Sequence, residues 1–120
     1  MTSEYVIAAP VVAGVAARAA AGTAGVVRLE PGLRGLAAAL VRAARDRWTG
    51  LAAAPAEGVR VRTADGKLTV EVDVVVSGID QAAAVGQAVQ RSVRREVAAQ
   101  TGRTVDAVQV SIVDIEMEAR

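Results

Sequence analysis

The strongest constraint on the fold is the stretch spanning residues 58–76, which reads GVRVRTADGKLTVEVDVVV. Apolar and polar residues alternate on both sides of Asp65-Gly66. An Asp-Gly pair between two alternating runs is a strong signal of a β-hairpin with a two-residue turn. One row of the hairpin consists of valines and a single leucine, and we expect it to face the core. The chain therefore contains at least two antiparallel strands.

The other row of the hairpin is charged, with Arg60 and Arg62 opposite Glu71 and Asp73. This row is open to three interpretations: a binding surface, a catalytic site, or a solvated face. Cross-strand pairs of opposite charge contribute about 0.2–1 kcal/mol each, and no nucleophile or set of metal ligands accompanies the acids. We expect a hydrated, charge-paired face, on which Glu71→Gln costs about 1 kcal/mol or less.

The sequence after the hairpin predicts a crossover helix and a third strand. Asp80 is a good N-cap, and Gly102 is a typical helix stop. The segment VDAVQVSIVDIEME that follows is typical of a strand. A helix of about 22 residues and a strand of about 10 residues both span roughly 33 Å. We therefore expect the third strand to run parallel to the second strand of the hairpin.

The first half of the chain has the pattern of helices. Residues 1–9 are predicted to form an N-terminal arm, and Pro10 suits the first turn of a helix that ends near Gly22. The segment GTAGVVRLEPG is expected to be a connector, and a second helix is expected between Pro31 and Leu51.

These predictions add up to a single domain over residues 1–120, with a helical part at 10–57 and a strand-strand-helix-strand part at 58–120. The predicted fold class is α+β. It has two layers, a small mixed three-stranded sheet and helices packed on one face of it.

Composition excludes several classes of function. The chain has no Cys and no His, which removes disulfides, thiolate nucleophiles, the zinc sites that need these residues, and the commonest general base. With 14 basic and 13 acidic residues the net charge is +1, which is not typical of a dedicated nucleic-acid binder. We predict no catalytic, cofactor-binding or metal-binding residue and no cofactor. An enzyme that uses the sheet carboxylates is one alternative.

The apolar start of the chain raises the question of a membrane segment. Residues 5–27 are mostly Ala, Gly and Val, but Arg18 lies near their middle. An arginine there costs roughly 2.5–3.5 kcal/mol in an inserted helix. The preceding MTSE lacks the basic residue of a signal peptide. A buried Ala-rich helix is the favoured interpretation.

A second alternative rests on the segment GLRG. Gly32 and Gly35 match the GXXG loop with which KH domains clamp a nucleic-acid backbone, and Arg34 lies inside it. The segment GTAG at 22–25 matches equally well, so a chance match is expected in a chain with 11 glycines. The chain also has only two aromatic residues, Tyr5 and Trp48, which is few for base stacking. We therefore consider a KH-like nucleic-acid module a weaker hypothesis for the function than an interaction protein.

The third strand contains a change of apolar phase. Its inward row ends at Ile112, after which the apolar residues are Val113, Ile115 and Met117. A β-bulge would restore the register. Without one, these three residues and Val75 would form an exposed apolar patch, which the N-terminal arm or a second subunit would cover. We favour a subunit contact, in which case Ile115→Asp converts an oligomer to a monomer.

Three stretches together resemble the alkaline shock proteins and related envelope stress-response proteins of Gram-positive bacteria. They are VVAGVAARAAAGTAGVVRL, GVRVRTADGKLTVEVDVVVSG and VGQAVQRSVRREVAAQTGRTVDAVQVSIVDI. The Arg and Ala bias resembles an actinobacterial member. The segment between the first two stretches is not typical of the family in detail.

The resemblance implies an abundant cytoplasmic protein without catalytic activity. Such a protein self-associates as a homo-oligomer and works beside related stress proteins. It gathers at the inner face of the cell membrane through a small membrane-anchoring partner, without inserting into the membrane itself. The family has no motif of catalytic residues to carry over to this chain.

Overall fold

The computed structural model describes residues 2–32 and 58–117, with side chains from residue 9 onward. Two helices and four strands follow one another along the described chain: α1 (Thr2–Ala21), β1 (Val26–Leu29), β2 (Val59–Ala64), β3 (Lys67–Val76), α2 (Ala82–Thr101) and β4 (Ala107–Ile115). A short 3₁₀ turn at Ile79–Gln81 leads into α2. The predicted helix between Pro31 and Leu51 lies almost entirely outside the described residues.

The four strands form one mixed sheet with β3 at its centre. β4 pairs with β3 in parallel, and β1 and β2 both pair with β3 antiparallel. The predicted α+β class and the parallel third strand are confirmed. The predicted number of three strands is wrong, because Val26–Leu29, which is predicted to be part of a connector, forms a fourth strand. Four residues between a glycine-rich turn and a proline are too few to show a clear alternation.

β1 and β2 lie end to end along the same side of β3. Leu29 of β1 is opposite Val74, and Val59 of β2 is opposite Val72, so a single residue of β3, Asp73, lies between them. The Asp73 N–H donates to the Gly58 carbonyl at 2.8 Å, and the Asp73 carbonyl accepts from the Glu30 N–H at 3.2 Å. The two strands thus form one composite strand, interrupted opposite Asp73 by residues 30–58.

The hairpin between β2 and β3 has the predicted turn. Asp65 and Gly66 both have positive φ values, 53° and 75°. Two consecutive positive φ values define the turn type whose twist matches antiparallel strands. Arg60 lies directly opposite Glu71, which confirms the predicted cross-strand pairing of charges.

The core lies between one face of the sheet and the two helices. α2 contributes a stripe at four-residue spacing, and α1 contributes smaller side chains that allow a close approach. Even-numbered residues of β3 supply the sheet side, as the alternation predicts. The buried apolar residues of these three elements are Val12, Val15, Ala16, Ala20, Leu68, Val70, Val72, Val74, Val76, Val85, Val89, Val93 and Val97.

Two predictions about helix starts are wrong. α1 begins at Thr2 and contains Pro10 in its interior, so residues 2–9 belong to the helix and form no separate arm. Residues upstream of a proline can be helical where the helix tolerates one missing hydrogen bond. At the other helix, Asp80 lies in the 3₁₀ turn and Gln81 occupies the N-cap position without a side-chain bond. Gly78, at φ 110°, allows this turn to form before α2 begins.

The predicted end of α2 is confirmed. Gly102 is left-handed at φ 72°, and its N–H donates to the Ala98 carbonyl. Just upstream, the Thr101 hydroxyl donates to the Val97 carbonyl at 2.6 Å and accepts from the Arg103 N–H at 3.1 Å. The Thr-Gly pair therefore satisfies backbone groups that the end of a helix leaves open.

A β-bulge interrupts β4, as one of the two alternatives predicted. Val74 pairs with Ile112 and Val75 with Asp114, so Val113 is the additional residue. The bulge returns Ile115 to the core side of the sheet, where it packs against the core. β1 has a matching irregularity at Val27, between the residues opposite Val76 and Val75. The C-terminal half of β3 is therefore flanked by an irregularity on each side.

Candidate functional site

The charged row of the hairpin is buried. Asp73 is 2% exposed and Glu71 is 9% exposed, and the Arg60 side chain is only 10% exposed. Arg62, on the turn side, stays 63% exposed. The prediction of a hydrated face is therefore wrong for three of its four residues. Strand alternation places a side chain on one face of a sheet, but it does not tell whether another part of the chain covers that face.

Arg60 holds the two acids together. Its Nη1 and Nη2 donate to the two oxygens of Asp73 at 2.8 and 3.1 Å, and its Nε donates to Glu71 Oε1 at 2.9 Å. Arg62 reaches the other Glu71 oxygen with Nη2 at 2.7 Å. A guanidinium that forms a two-bond pair with one carboxylate and a third bond to another has its position well defined. We call Arg60, Glu71 and Asp73 the buried charge cluster.

The pKa values of the cluster follow from these contacts. Burial raises the pKa of Asp73, but the bonds from Arg60 and from the Gly32 N–H outweigh burial, so the net pKa of Asp73 is lowered. The bond to Asp73 raises the pKa of Arg60 further, against the effect of burial. Both groups are therefore charged at neutral pH. A carboxylate held in the ionised form by three bonds is poorly suited to proton transfer near neutral pH.

Gly32 lies between the buried charge cluster and Val113 of β4. Its N–H donates to Asp73 Oδ2 at 3.0 Å. A Cβ at this position would lie 2.8 Å from Val113 Cγ1, so only glycine fits without a shift. In the KH-like alternative, Gly32 begins the clamp with Arg34 and Gly35. The amide of Gly32 is instead bonded to Asp73, and the other two residues lie outside the described residues.

Arg28 is a further charged residue on this face. It lies next to Val75 in the register and donates from Nε to Glu30 at 2.9 Å and from Nη1 to Glu116. Because β1 and β4 flank β3 on opposite sides, the pair with Glu116 crosses β3 near the fully buried Val75. Arg28 is not among the residues predicted for a site, because the strand that contains it, Val26–Leu29, is predicted to be a connector.

The four residues of the predicted apolar patch do not share one exposed surface. Val75 is fully buried, Val113 is half-buried, and Ile115 is half-buried against the core. Met117 alone of the four is exposed, at 82%. The physical reason is the bulge at Val113, which separates the apolar residues onto two faces. The proposed patch is thus corrected, while self-association itself stays a prediction.

The described residues offer little chemistry for a metal site. Within residues 2–32 and 58–117, no three acidic side chains converge in the way that a metal ion requires. Over the same residues, neither helix combines the length and the apolar character needed to cross a membrane.

The described part of the chain is a small α+β domain with a buried, fully paired charge cluster in its sheet. β4 lies at one edge of this sheet and pairs with β3 alone among the described strands.

The chain belongs to the alkaline shock protein (ASP23) family, which is described by a cell envelope-related function; the family model matches residues 1–117. This match confirms the family expected from the sequence. No curated protein and no solved structure matches the chain.

Proposed function

We propose that this chain is a non-catalytic protein of the envelope stress response. It self-associates, and a small membrane-anchored partner recruits it to the cytoplasmic face of the membrane. The family description, a cell envelope-related function, supports the cellular setting. The resemblance to Gram-positive stress proteins supports the two interactions.

The observation that supports the proposal most is that the sheet carboxylates are buried and paired with arginines. Asp73 and Glu71 are the acids on which an enzymatic alternative would depend, and both are buried and bonded to arginines. An acid that takes part in catalysis must be within reach of a substrate. The fixed geometry of the cluster supports a structural role, which leaves protein contacts as the activity of the domain.

Binding to membranes tests the recruitment step. Purified chain is mixed with inverted membrane vesicles from its host, with the same vesicles after protease treatment, and with protein-free vesicles of host lipids. We expect sedimentation with the untreated vesicles alone, because recruitment depends on a membrane protein. Equal sedimentation with protein-free vesicles, or none with any vesicle, would contradict the proposal.

Light scattering tests self-association separately. The wild-type chain is measured over a range of concentrations, and we expect a mass that is a multiple of the chain mass. A monomer at every concentration contradicts this part of the proposal and leaves the recruitment step to the vesicle assay.

A further inference from the structure

The two edges of the sheet are protected very differently. The composite strand of β1 and β2 carries Arg28, Arg60 and Arg62, has an irregularity at Val27, and is interrupted opposite Asp73. Charges, bulges and breaks are the devices by which proteins prevent sheet edges from pairing with other chains. This edge is therefore unsuited to accept another strand.

β4 lacks these devices over most of its length. Residues 107–113, AVQVSIV, contain no charge, no proline and no glycine. Gln109, Ser111 and Ile112 are all exposed, and β4 pairs with β3 alone among the described strands. A long, uncharged edge strand is a template for pairing with another chain.

The direction of the backbone amides indicates which groups are free to pair. Asp73 directs its N–H and carbonyl toward the composite strand, so the even-numbered residues of β3 direct theirs toward β4. In the register of the two strands these groups bond to Ala107, Gln109 and Ser111. The N–H and carbonyl groups of Val108, Val110 and Ile112 therefore point away from β3. These groups form the outer side of the strand over its regular part.

We propose that β4 pairs with β4 of a second copy of this chain, in an antiparallel ladder centred on Gln109. The inference rests on the proposed self-association and names the surface that mediates it. The second copy is the occupant because the uncharged segment is complementary to itself. In this ladder Val108 lies opposite Val110, and Ala107 lies opposite Ser111.

Charge excludes a ladder centre closer to the C-terminus than Gln109. A centre at Val110 places Asp106 opposite Asp114, and a centre at Ser111 brings Asp106 near Glu116. Like charges directly opposite each other are destabilising. A centre at Gln109 places Asp106 opposite Ile112 and Asp114 opposite Thr104, so no like charges meet. The bulge at Val113 then limits the ladder at its end.

A second, independent observation is that side chains of α2 lie along β4. Gln90 Nε2 donates to the Val108 carbonyl at 3.1 Å, and Arg94 Nη2 donates to the Asp106 carbonyl at 3.3 Å. A four-residue step of a helix, about 6 Å, nearly equals a two-residue step of a strand, about 6.7 Å. The same row of α2 therefore continues with Gly86 over Val110.

The proposed ladder has a two-fold axis at Gln109, which places small residues of one α2 helix against large residues of the other. It brings Gly86 against Gln90 of the second copy, and Ala82 against Arg94 of the second copy. It also places Ile112, 38% exposed on the helix side, beside Asp106 of the second copy, where Arg94 reaches. The two α2 helices can then lie side by side over the joined sheet.

No contact among the described residues explains why position 86 is a glycine. A glycine inside a helix costs about 1 kcal/mol relative to alanine. Among the described residues nothing lies within 4 Å of the position that its Cβ would occupy, and its φ is not positive. The close approach of a second helix accounts for a glycine there.

Single cysteines test the ladder, because the chain has none of its own. In this ladder the two Gln109 residues form a non-hydrogen-bonded pair, whose Cα atoms are about 4.5 Å apart, within the usual range of a disulfide, about 4.4–6.8 Å. We expect Gln109→Cys to form a covalent dimer under mild oxidation. Ser111→Cys is the matched control, because its two copies are about 13 Å apart along the strands. Equal cross-linking of both variants, or cross-linking of Ser111→Cys alone, overturns the ladder.

Blocking variants test the surface without covalent chemistry. Gly86→Leu fits the open space in one chain but obstructs the second helix, and Val110→Pro removes an outward N–H. We expect each to raise the dissociation constant at least tenfold by light scattering, with a native circular dichroism spectrum. Ala98→Leu, an exposed position on the same helix, is the control and leaves the dissociation constant unchanged.

The outcomes separate this inference from the proposed function. A wild-type chain that is monomeric at every concentration overturns self-association and the ladder together. An oligomer that persists in both blocking variants overturns the ladder alone, and self-association then uses another surface. Loss of the oligomer in both variants, with Ala98→Leu unaffected, supports the ladder.

Discussion

Replacement of Asp73 by asparagine removes one charge from the buried cluster and preserves the shape of the side chain. Asp73 accepts two bonds from Arg60 and one from the Gly32 N–H. Breaking a buried ion pair by removing one partner costs about 3–5 kcal/mol. Arg60 keeps its bond to Glu71, and an asparagine oxygen can still accept from Gly32. We therefore expect Asp73→Asn to lower the free energy of unfolding by about 2–3 kcal/mol.

Urea unfolding followed by circular dichroism measures this loss. With a denaturant slope of about 1 kcal/mol per M, the midpoint falls by about 2–3 M. Arg62→Gln is the control, because Arg62 is 63% exposed and its pair with Glu71 contributes about 1 kcal/mol or less. If Asp73→Asn costs no more than Arg62→Gln, the cluster is hydrated in solution and the reasoning is refuted.

The same residue gives a pH dependence with a defined sign. The folded-state pKa of Asp73 is lowered, so the ionised form is favoured in the folded chain. Its stabilisation is present above the pKa of an unfolded aspartate, about 3.9, and is lost as the pH falls through the lower folded value. We expect the wild-type free energy of unfolding to decrease over this acidic range more steeply than that of Asp73→Asn. Parallel curves for the two proteins would contradict the assignment.

Two further pairs of variants test the packing of the fold. Gly25→Ala, at φ 92° and against the side chain of Val85, is expected to cost about 2–4 kcal/mol in urea unfolding. Gly66→Ala, at φ 75° with open space, is expected to cost only about 1–2 kcal/mol, and equal costs would contradict the steric argument. Ile115→Asp is expected to unfold the chain, because the bulge returns Ile115 to the core, whereas Met117→Asp, at an exposed position, leaves the thermal midpoint nearly unchanged. Native folding of Ile115→Asp would show that this part of β4 is not core.

Much of the second half of the fold could be predicted from local sequence signals. The Asp65-Gly66 pair and the flanking alternation specify the hairpin, and Gly102 specifies where α2 ends. The valines of α2 recur at a helical period, which identifies the face that packs on the sheet. These signals depend only on residues that are close together in the sequence, so they can be recognised in one sequence without its structure.

The features that could not be predicted depend on contacts between distant residues. Asp73 is buried in contact with Arg60 and Gly32, and the latter is 41 residues away along the chain. Arg28 acquires its role only because Val26–Leu29 pairs with β3. The bulge at Val113 was one of two alternatives, since an apolar phase change is consistent with both. The buried charge cluster was therefore identified by residue but placed in the wrong environment.

Amide hydrogen exchange at β4, measured as a function of chain concentration, tests the central claim most directly. The outward amides of Val108, Val110 and Ile112 are expected to exchange quickly in dilute chain and to become protected as the oligomer forms. The Asp106 amide, which bonds to β3 within one chain, is expected to be equally protected at both concentrations. An oligomer that forms while the three outward amides continue to exchange quickly would contradict pairing through β4.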